Sequence, residues 1–202
     1  AARTGYRPQP AIFVNGCQDI RLHDITIHFA EGMGLLAQRS EDIHLERFSV
    51  ELHPKGGRYF TTQADATHFV ACRGQISVER CRFENMMDDA LNVHGVYLKV
   101  VGREGKHTLL GRFMHEQSFG FPWADPGDAV RLVTSRDIQG LEGVFHVSAI
   151  SSAEGKSLEG AREVRITFRE ELPADYTPER GISMENLTRT PRVLFARNLV
   201  RH

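Results

Sequence analysis

The apolar residues of this chain recur in a fixed pattern that is not helical. Three segments, "DIRLHDITI", "DIHLERFSV" and "QISVERCRF", share the order apolar-x-apolar-x-x-apolar-x-apolar, and a fourth, weaker copy begins at Val193. A shorter apolar segment precedes each copy, namely "AIFVNG", "GLLAQRS", "THFVACRG" and "ALNVHG". The alternation has the period of two that is typical of strands, and no stretch keeps the 3.6-residue period of an amphipathic helix. The chain is therefore predicted to be all-β.

The copies are spaced like the coils of a solenoid. Aligning Phe13, Leu36, Phe69 and Asn92 gives equal first and third intervals and a longer second interval, which contains the extra segment "HPKGGRYFTT". Two short strands and a third side in each coil predict a right-handed parallel β-helix. The rows then predicted to face inward are Ile12, Leu35 and Leu91, and Val14, Ala37, Val70 and Val93.

The coil pattern stops after "NVHG" and resumes at Val193. The interval holds the strand candidates "VYLKVVG", "TLLGRFM", "DAVRLVT", "GVFHVSAI" and "EVRITF", separated by Gly, Pro and Asp turn signals typical of a small antiparallel barrel or sandwich. The predicted domains are β-helix coils at 1–95, an inserted β-barrel or sandwich at 96–190, and a return to the β-helix at 191–202. Because neither end has the pattern of a natural terminus, we expect an internal segment of a longer protein.

Composition removes several function classes. The 25 Lys and Arg residues nearly balance 26 Asp and Glu residues, so net charge does not favour a nucleic-acid or membrane-surface partner. No apolar run approaches the roughly 20 residues of a membrane-spanning helix. The three cysteines lack the C-x-x-C spacing of zinc or redox sites, and His44, His53 and His68 show no metal-binding spacing. A neutral or locally charged ligand is expected, and the oligomeric state is not predicted.

The segment "NMMDDALNVHG" places two adjacent carboxylates, Asp88 and Asp89, in an apolar run. Asp65, in "QADATHFV", precedes Asp88 by the same interval that separates Phe69 from Asn92, one coil. The two acids are therefore predicted to stack in adjacent rungs, about 4.8 Å apart along the axis. Strand alternation predicts that Asp65, Asp88, Asn92 and His94 face outward on one surface.

Asp89 has inward parity in this alignment, which an unpaired carboxylate does not tolerate. A bend between Met87 and Ala90 would turn it toward the other two acids. Three crowded carboxylates repel one another, so one is expected to hold its proton near neutral pH while the others are ionised, as general acid and base catalysis requires. Two alternatives stay open, since clustered aspartates also cap turns or bind calcium.

The segments "ADATHFVACRG", "NMMDDALNVHG" and "FGFPWADPGDAVRLV" resemble, in this order, the bacterial α-1,3-galactosidases of glycoside hydrolase family 110, β-helix proteins with an inserted barrel. A more distant likeness is to the polygalacturonases of family 28, whose Gly-His-Gly and Arg-Ile-Lys signatures are missing here. The resemblance implies that Asp88 protonates the leaving oxygen, while Asp65 and Asp89 hold and deprotonate the attacking water.

The same resemblance implies the reaction and its setting. It implies removal of a terminal α-1,3-linked galactose in one inverting step that needs no cofactor and no metal. The expected partner is an α-galactoside glycan, with no nucleic acid and no membrane, and the expected location is outside the bacterial cytoplasm, secreted or periplasmic. Galactose is neutral, which fits the missing signatures for an acidic sugar.

Further residues are candidates for sugar binding. Asn92 and His94 share the predicted outward row and could recognise hydroxyl groups or tune the acid, or be ordinary surface residues. Arg58 and Tyr59 lie in the insertion before the first acid and could overhang the cleft, or be solvated. Trp123 could stack on a sugar, although packing at the root of the inserted domain is favoured by its Pro-rich surroundings.

Two other functions compete with the hydrolase. One is a calcium-dependent polysaccharide lyase on a β-helix, which would use the acids as metal ligands. Against it, no Arg or Lys lies on the predicted outward row to serve as the base. The other is a non-catalytic β-helix that acts as a carbohydrate-binding or adhesin module.

Overall fold

The protein, represented by a computed structural model, is described at residues 9–155 and 157–201. Residues 1–8, which open the first predicted domain, and residue 202, which ends the third, lie outside the described residues. The strands are β1 (Ile12–Asn15), β2 (Gln18–His23), β3 (Thr26–Ile27), β4 (Leu35–Gln38), β5 (Glu41–Glu46), β6 (Ser49–Val50), β7 (Thr67–Val70), β8 (Arg73–Glu79), β9 (Arg82–Glu84), β10 (Leu91–His94), β11 (Leu98–Glu104), β12 (Thr108–Phe113), β13 (Ala129–Thr134), β14 (Phe145–Ser152), β15 (Glu163–Phe168), β16 (Ile182–Asn186), β17 (Arg192–Ala196) and β18 (Leu199–Arg201). Three short 3-10 helices cover Glu116–Ser118, Pro178–Arg180 and Leu187–Arg189.

The chain divides into two compact units, and each has a hydrophobic core of its own. One unit comprises the residues up to His94 together with those from Arg189 onward, and the other is Gly95–Thr188. The first unit therefore resumes at Arg189 and not at the predicted residue 191. The prediction that the fold is all-β is confirmed. Within the described residues, none of the helices has the length and apolar character needed to cross a bilayer.

The first unit contains three four-stranded parallel sheets. Their strand orders are β1-β4-β7-β10, β2-β5-β8-β17 and β3-β6-β9-β18. Every pairing is parallel, and each successive coil adds one strand to each sheet. The fourth coil contributes β10, then β17 and β18, so the second unit is inserted in the chain between the first and second strands of that coil.

Single residues with left-handed backbone turn the chain at the corners of each coil. They are Gly16, Arg39 and Ala71 between the first and second strands, and Asp24, Arg47, Arg80 and Arg197 between the second and third. A left-handed conformation costs a non-glycine residue roughly 1–2 kcal/mol. Hydrogen bonds between rungs offset this cost, as in the bond that the Arg39 N–H donates to the Val70 carbonyl oxygen at 3.0 Å.

The register of the first sheet differs from the predicted one by a single position. Ile12 pairs with Leu35 as predicted, but Leu35 then pairs with Thr67, and Thr67 pairs with Leu91. The predicted alignment, which would have put His68 between Leu35 and Leu91, was therefore wrong. Phe69 pairs with Val93 and not with Asn92, and it is fully buried.

This shift exchanges the faces of neighbouring residues on β7. His68, and not Phe69, pairs with Asn92 in the outward row. Phe69 takes the inward position between Ala37 and Val93 that Val70 was predicted to hold. The physical reason is burial, because the register that puts a phenyl ring in the core and an imidazole outside avoids the cost of an unpaired polar group.

The core of the first unit lies between the three sheets. Its largest fully buried side chains include Phe48, Phe69 and Phe83, and burial of a side chain of this size stabilises a fold by about 1.5–3 kcal/mol. The inward hydroxyl of Thr67, which lies next to the acids, donates to the Ala90 carbonyl oxygen at 2.8 Å. That bond ties the start of β7 to the residue just before β10.

The second unit is a closed barrel with the strand order β11-β12-β15-β14-β13-β16 and antiparallel pairings. Of the predicted barrel or sandwich, the barrel is confirmed. Trp123 is 2% exposed within its core, and its indole Nε1–H donates to the Val96 carbonyl oxygen at 2.5 Å. The packing role favoured from the sequence is the one that the structure shows for this residue.

Candidate active site

Three carboxylates meet at the end of the first sheet where β7 and β10 begin. One oxygen from each of Asp65, Asp88 and Asp89 lies within 4.8 Å of the others. Because Thr67 pairs with Leu91, the rung neighbour of Asp65 is Asp89 and not Asp88. The predicted stacking of Asp65 on Asp88 was therefore wrong by one position, although all three acids do converge.

A bend before β10 sets the positions of Asp88 and Asp89. Asn85 has a left-handed backbone, and the chain bends again at Met87, Asp88 and Ala90. Backbone hydrogen bonds hold both ends of this bend. The Met87 N–H donates to the Thr62 carbonyl oxygen at 3.0 Å, and the Ala66 N–H donates to the Asp89 carbonyl oxygen at 2.8 Å. The bend leaves Asp89 exposed and Asp88 partly exposed, as the predicted turn between Met87 and Ala90 requires.

Asp65 occupies the inner side of the cluster. It was predicted to face outward, but it is 3% exposed, because the corrected register gives it the same parity as the buried Thr67 and Phe69. Its carboxylate is hydrogen-bonded on both oxygens. His68 Nδ1 lies 2.6 Å from Oδ2, and the Asp89 N–H donates to Oδ1 at 3.3 Å.

The surroundings of Asp65 favour the ionised carboxylate. Burial by itself raises the pKa of this group, but the hydrogen bonds from His68, the Asp89 N–H and the side chain of Asn92 together lower the pKa below its ordinary value. An ionised carboxylate accepts hydrogen bonds and donates none. Asp65 is therefore an acceptor at the base of the cluster, while Asp88 and Asp89 lie closer to solvent.

Asn92 and His94 lie beside the acids on β10. The side chain of Asn92 is hydrogen-bonded to Asp65, and His94 Nε2 lies 2.8 Å from His68 Nε2. The two imidazole rings meet edge to face, with centroids 4.8 Å apart. Both residues thus contact the Asp65 side of the cluster, directly in one case and through His68 in the other.

Arg58 and Tyr59 lie on the loop of the long second coil. The Arg58 guanidinium carbon stacks 3.6 Å from the centroid of the Phe29 ring, and Phe29 in turn lies 6.2 Å from Phe60 between ring centroids. Tyr59 is 90% exposed. The contact described for Arg58 is thus with a ring of the preceding coil, while the adjacent tyrosine lies in solvent.

His68 was missed from the sequence. The sequence gives it no metal-binding spacing and hence no predicted role, whereas in the structure it contacts both Asp65 and His94. The alternation of polar and apolar residues along β7 could have revealed it. An alignment that keeps polar residues in the outward row pairs His68 with Asn92.

The cluster has the donor chemistry of a hard-cation site. Within the described part of the chain, these carboxylates are the group of acidic, His or Cys side chains placed closely enough to hold a metal ion. Calcium prefers six to eight oxygen ligands, of which this group supplies a carboxylate from each of three residues. The same grouping also suits an acid and base pair around a sugar.

Comparison with known proteins relates the chain to bacterial α-1,3-galactosidases. Residues 108–179 match the family model described as GLAA-B beta-barrel domain II. Over 203 residues and 100% of its length, the chain is 48% identical to the alpha-1,3-galactosidase B of Phocaeicola vulgatus. The predicted resemblance to the α-1,3-galactosidases is confirmed. The α-1,3-galactosidase likeness extends to alpha-1,3-galactosidase B of Akkermansia muciniphila, 37% identical over 97% of the chain, and alpha-1,3-galactosidase A of Streptomyces avermitilis, 29% identical over 97%.

The chain matches only a part of each of these α-1,3-galactosidases. It spans 34% of the Phocaeicola vulgatus protein, 24% of the Akkermansia muciniphila protein and 32% of the Streptomyces avermitilis protein. The match includes both units, because it covers the acid cluster as well as the barrel.

Proposed function

We propose that the chain is the acid-bearing segment of an enzyme that removes terminal α-1,3-linked galactose from glycans. The observation that carries the proposal is the convergence of Asp65, Asp88 and Asp89 within 4.8 Å, in a chain that is 48% identical along its whole length to an alpha-1,3-galactosidase B. We further propose that the three parallel sheets are coils of a right-handed β-helix that continues in a longer protein. The share of each relative that is matched, about a quarter to a third, supports that part.

The positions of the acids suggest their roles. Asp88 is the proposed general acid that protonates the leaving oxygen, since it lies in the bend and is partly exposed. Asp89 is exposed beside it, and Asp65 lies behind, ionised and held by His68. We assign the activation of water to Asp65 and Asp89 together, with Asp89 nearer the solvent and Asp65 as the fixed acceptor.

Inversion is the proposed stereochemical course. Inverting hydrolases usually separate acid and base by about 6.5–9.5 Å and retaining hydrolases by about 5–5.5 Å. The closest oxygens of this cluster lie within 4.8 Å, so support for inversion comes from the resemblance and not from this distance. Proton NMR of the first product decides, because inversion releases β-galactose from an α-linkage and retention releases α-galactose.

The experiment that tests the function measures free galactose released from an α-1,3-linked disaccharide. It uses the longest natural chain that contains these residues, with and without a chelator. Release that persists in chelator and is lost in Asp88→Asn supports a metal-independent hydrolase. Binding of the disaccharide without turnover in that chain would instead favour a non-catalytic carbohydrate-binding module.

A calcium-dependent lyase is the second candidate, favoured by the grouping of three carboxylate oxygens. A lyase cleaves by elimination and leaves an unsaturated product that absorbs ultraviolet light. Cleavage of a polysaccharide that produces this absorbance and stops in chelator would replace the hydrolase proposal with this one.

A further inference from the structure

His68 lies between a buried carboxylate and a second imidazole. Its Nδ1 is 2.6 Å from Asp65 Oδ2, and its Nε2 is 2.8 Å from His94 Nε2. We propose that His68 and His94 are positioning residues that fix the Asp65 carboxylate as the acceptor for the attacking water. This inference rests on the proposed hydrolase function and adds two residues to it.

The carboxylate plane of Asp65 is set by donors at both oxygens. His68 Nδ1 approaches Oδ2 and the Asp89 N–H approaches Oδ1 at 3.3 Å. At 3% exposure, Asp65 has little solvent around it to take the place of a lost donor. Removal of the His68 donor therefore loosens the carboxylate, which then keeps only the Asp89 N–H and the Asn92 side chain as partners.

The direction of the hydrogen bonds follows from the chemistry of the groups. An ionised carboxylate only accepts, so the His68 Nδ1 carries a hydrogen. In the neutral ring Nε2 is then the acceptor, and His94 donates to it from its own Nε2. The edge-to-face packing of the two rings, at 87° between planes, holds this alignment. The result is a chain of donors from His94 through His68 to Asp65.

The groups around Asp65 come from two strands and from the bend that precedes the second of them. His68 is on β7, Asp88 and Asp89 are in the bend, and Asn92 and His94 are on β10. Burial raises the pKa of Asp65, whereas the hydrogen bond from His68 lowers it. Loss of His68 therefore leaves burial opposed only by the Asp89 N–H and Asn92.

The first test replaces the donor while keeping a ring. In His68→Phe we expect kcat for galactose release to fall about 10- to 100-fold, the effect of losing a hydrogen bond to a charged group, with KM little changed. The acidic limb of the kcat/KM profile is expected to move to higher pH. In His68→Asn, whose amide can stand in for Nδ1, part of the activity should return. The control, His44→Phe on β5, should behave as wild type.

The second test substitutes His94, which is exposed, so its replacement is not expected to impair folding. His94→Leu removes the donor to His68, while His94→Gln keeps an N–H near the same place. We expect His94→Leu to lower kcat and to shift the acidic limb in the same direction as His68→Phe, and His94→Gln to lie close to wild type. Equal effects of the two substitutions would contradict a role for the donated hydrogen bond.

A readout independent of turnover separates this inference from the proposed function. Carboxyl carbon NMR follows the titration of Asp65 directly, and we expect its midpoint to rise in His68→Phe and in His94→Leu. If wild type releases no galactose, the hydrolase proposal fails and the NMR result still tests the positioning. A folded His68→Phe protein with the wild-type Asp65 titration, kcat and pH profile would overturn the inference.

Discussion

The backbone N–H of Asp89 donates to Oδ1 of Asp65 at 3.3 Å, across the step from one coil to the next. The bond joins a main-chain group of one acid to the side chain of another. A substitution that removes both side-chain oxygens of Asp65 therefore also removes a contact that holds the bend in which Asp88 and Asp89 lie.

Asp88→Asn tests the general acid. We expect kcat to fall by about 10²- to 10⁴-fold, the usual contribution of a positioned acid, and the basic limb of the pH profile to disappear. Stability should change little, because Asp88 is partly exposed. Galactose release and thermal unfolding measure the two effects.

The matched control for this prediction is Asp19→Asn. Asp19 is exposed on β2 with a left-handed backbone, φ 53°, which asparagine also adopts readily. This variant should keep wild-type activity. A loss in Asp19→Asn as large as that in Asp88→Asn would point to a general effect on folding.

Asp65→Asn should show a pH-dependent loss of stability. The folded pKa of Asp65 is below its ordinary value of 3.8, so its ionised form stabilises the fold above that pH, and the contribution disappears as pH falls through the folded pKa. Denaturant unfolding at about pH 7 should show a loss of roughly 1.5–3 kcal/mol, the value of a hydrogen bond to a charged group, and a smaller loss at acid pH. A loss that does not vary with pH would contradict this account.

Gly34→Ala tests the close approach of two coils next to the cluster. A Cβ at Gly34 would lie 2.5 Å from the Ala66 carbonyl oxygen, a backbone atom that cannot move alone. We expect a loss of stability of about 1–3 kcal/mol and lower activity, because the neighbouring Asp65 would shift with Ala66. Gly57→Ala is the control, since nothing lies within 4 Å of the added Cβ, and a similar loss there would contradict the steric explanation.

Tyr59→Ala tests the loop of the long coil. Because Tyr59 is 90% exposed, its removal should not change the unfolding temperature. If the ring contacts the glycan, KM should rise several-fold with kcat unchanged, as expected for a contact made equally in the ground state and the transition state. Lys55→Ala, an exposed residue of the same loop, is the control. Unchanged KM in Tyr59→Ala would assign the loop to solvent.

Trp123→Phe tests the packing role in the barrel. The substitution leaves the Val96 carbonyl oxygen without the indole donor, and the smaller phenyl ring fills less of the barrel core. We expect a loss of about 1–3 kcal/mol in unfolding free energy with no change in KM. The control is Val144→Ala, an exposed apolar residue of the same unit, which should be near neutral. A rise in KM without a loss of stability would favour the sugar-platform alternative.

The sequence predicted the all-β fold, the barrel and the convergence of the acids, because all three depend on strand alternation and on gross spacing. It did not predict which residue of β7 faces out. Aligning Phe69 with Asn92 placed an aromatic residue in a polar row, whereas the actual partner of Asn92 is His68. The error of one position arose because the long loop before β7 and the bend before β10 each change the length of their coil. Such irregularities have no apolar periodicity to reveal them.

The loop of the long second coil can vary in length without disturbing the sheet. Its extra residues between β6 and β7 leave the parallel pairing of β4 with β7 intact, since the chain returns to the ladder at Thr67. Loop length at this point is thus independent of the rung spacing. Segments lengthened, shortened or exchanged there would leave the strand pairing that positions Asp65 beside Asp89 in place.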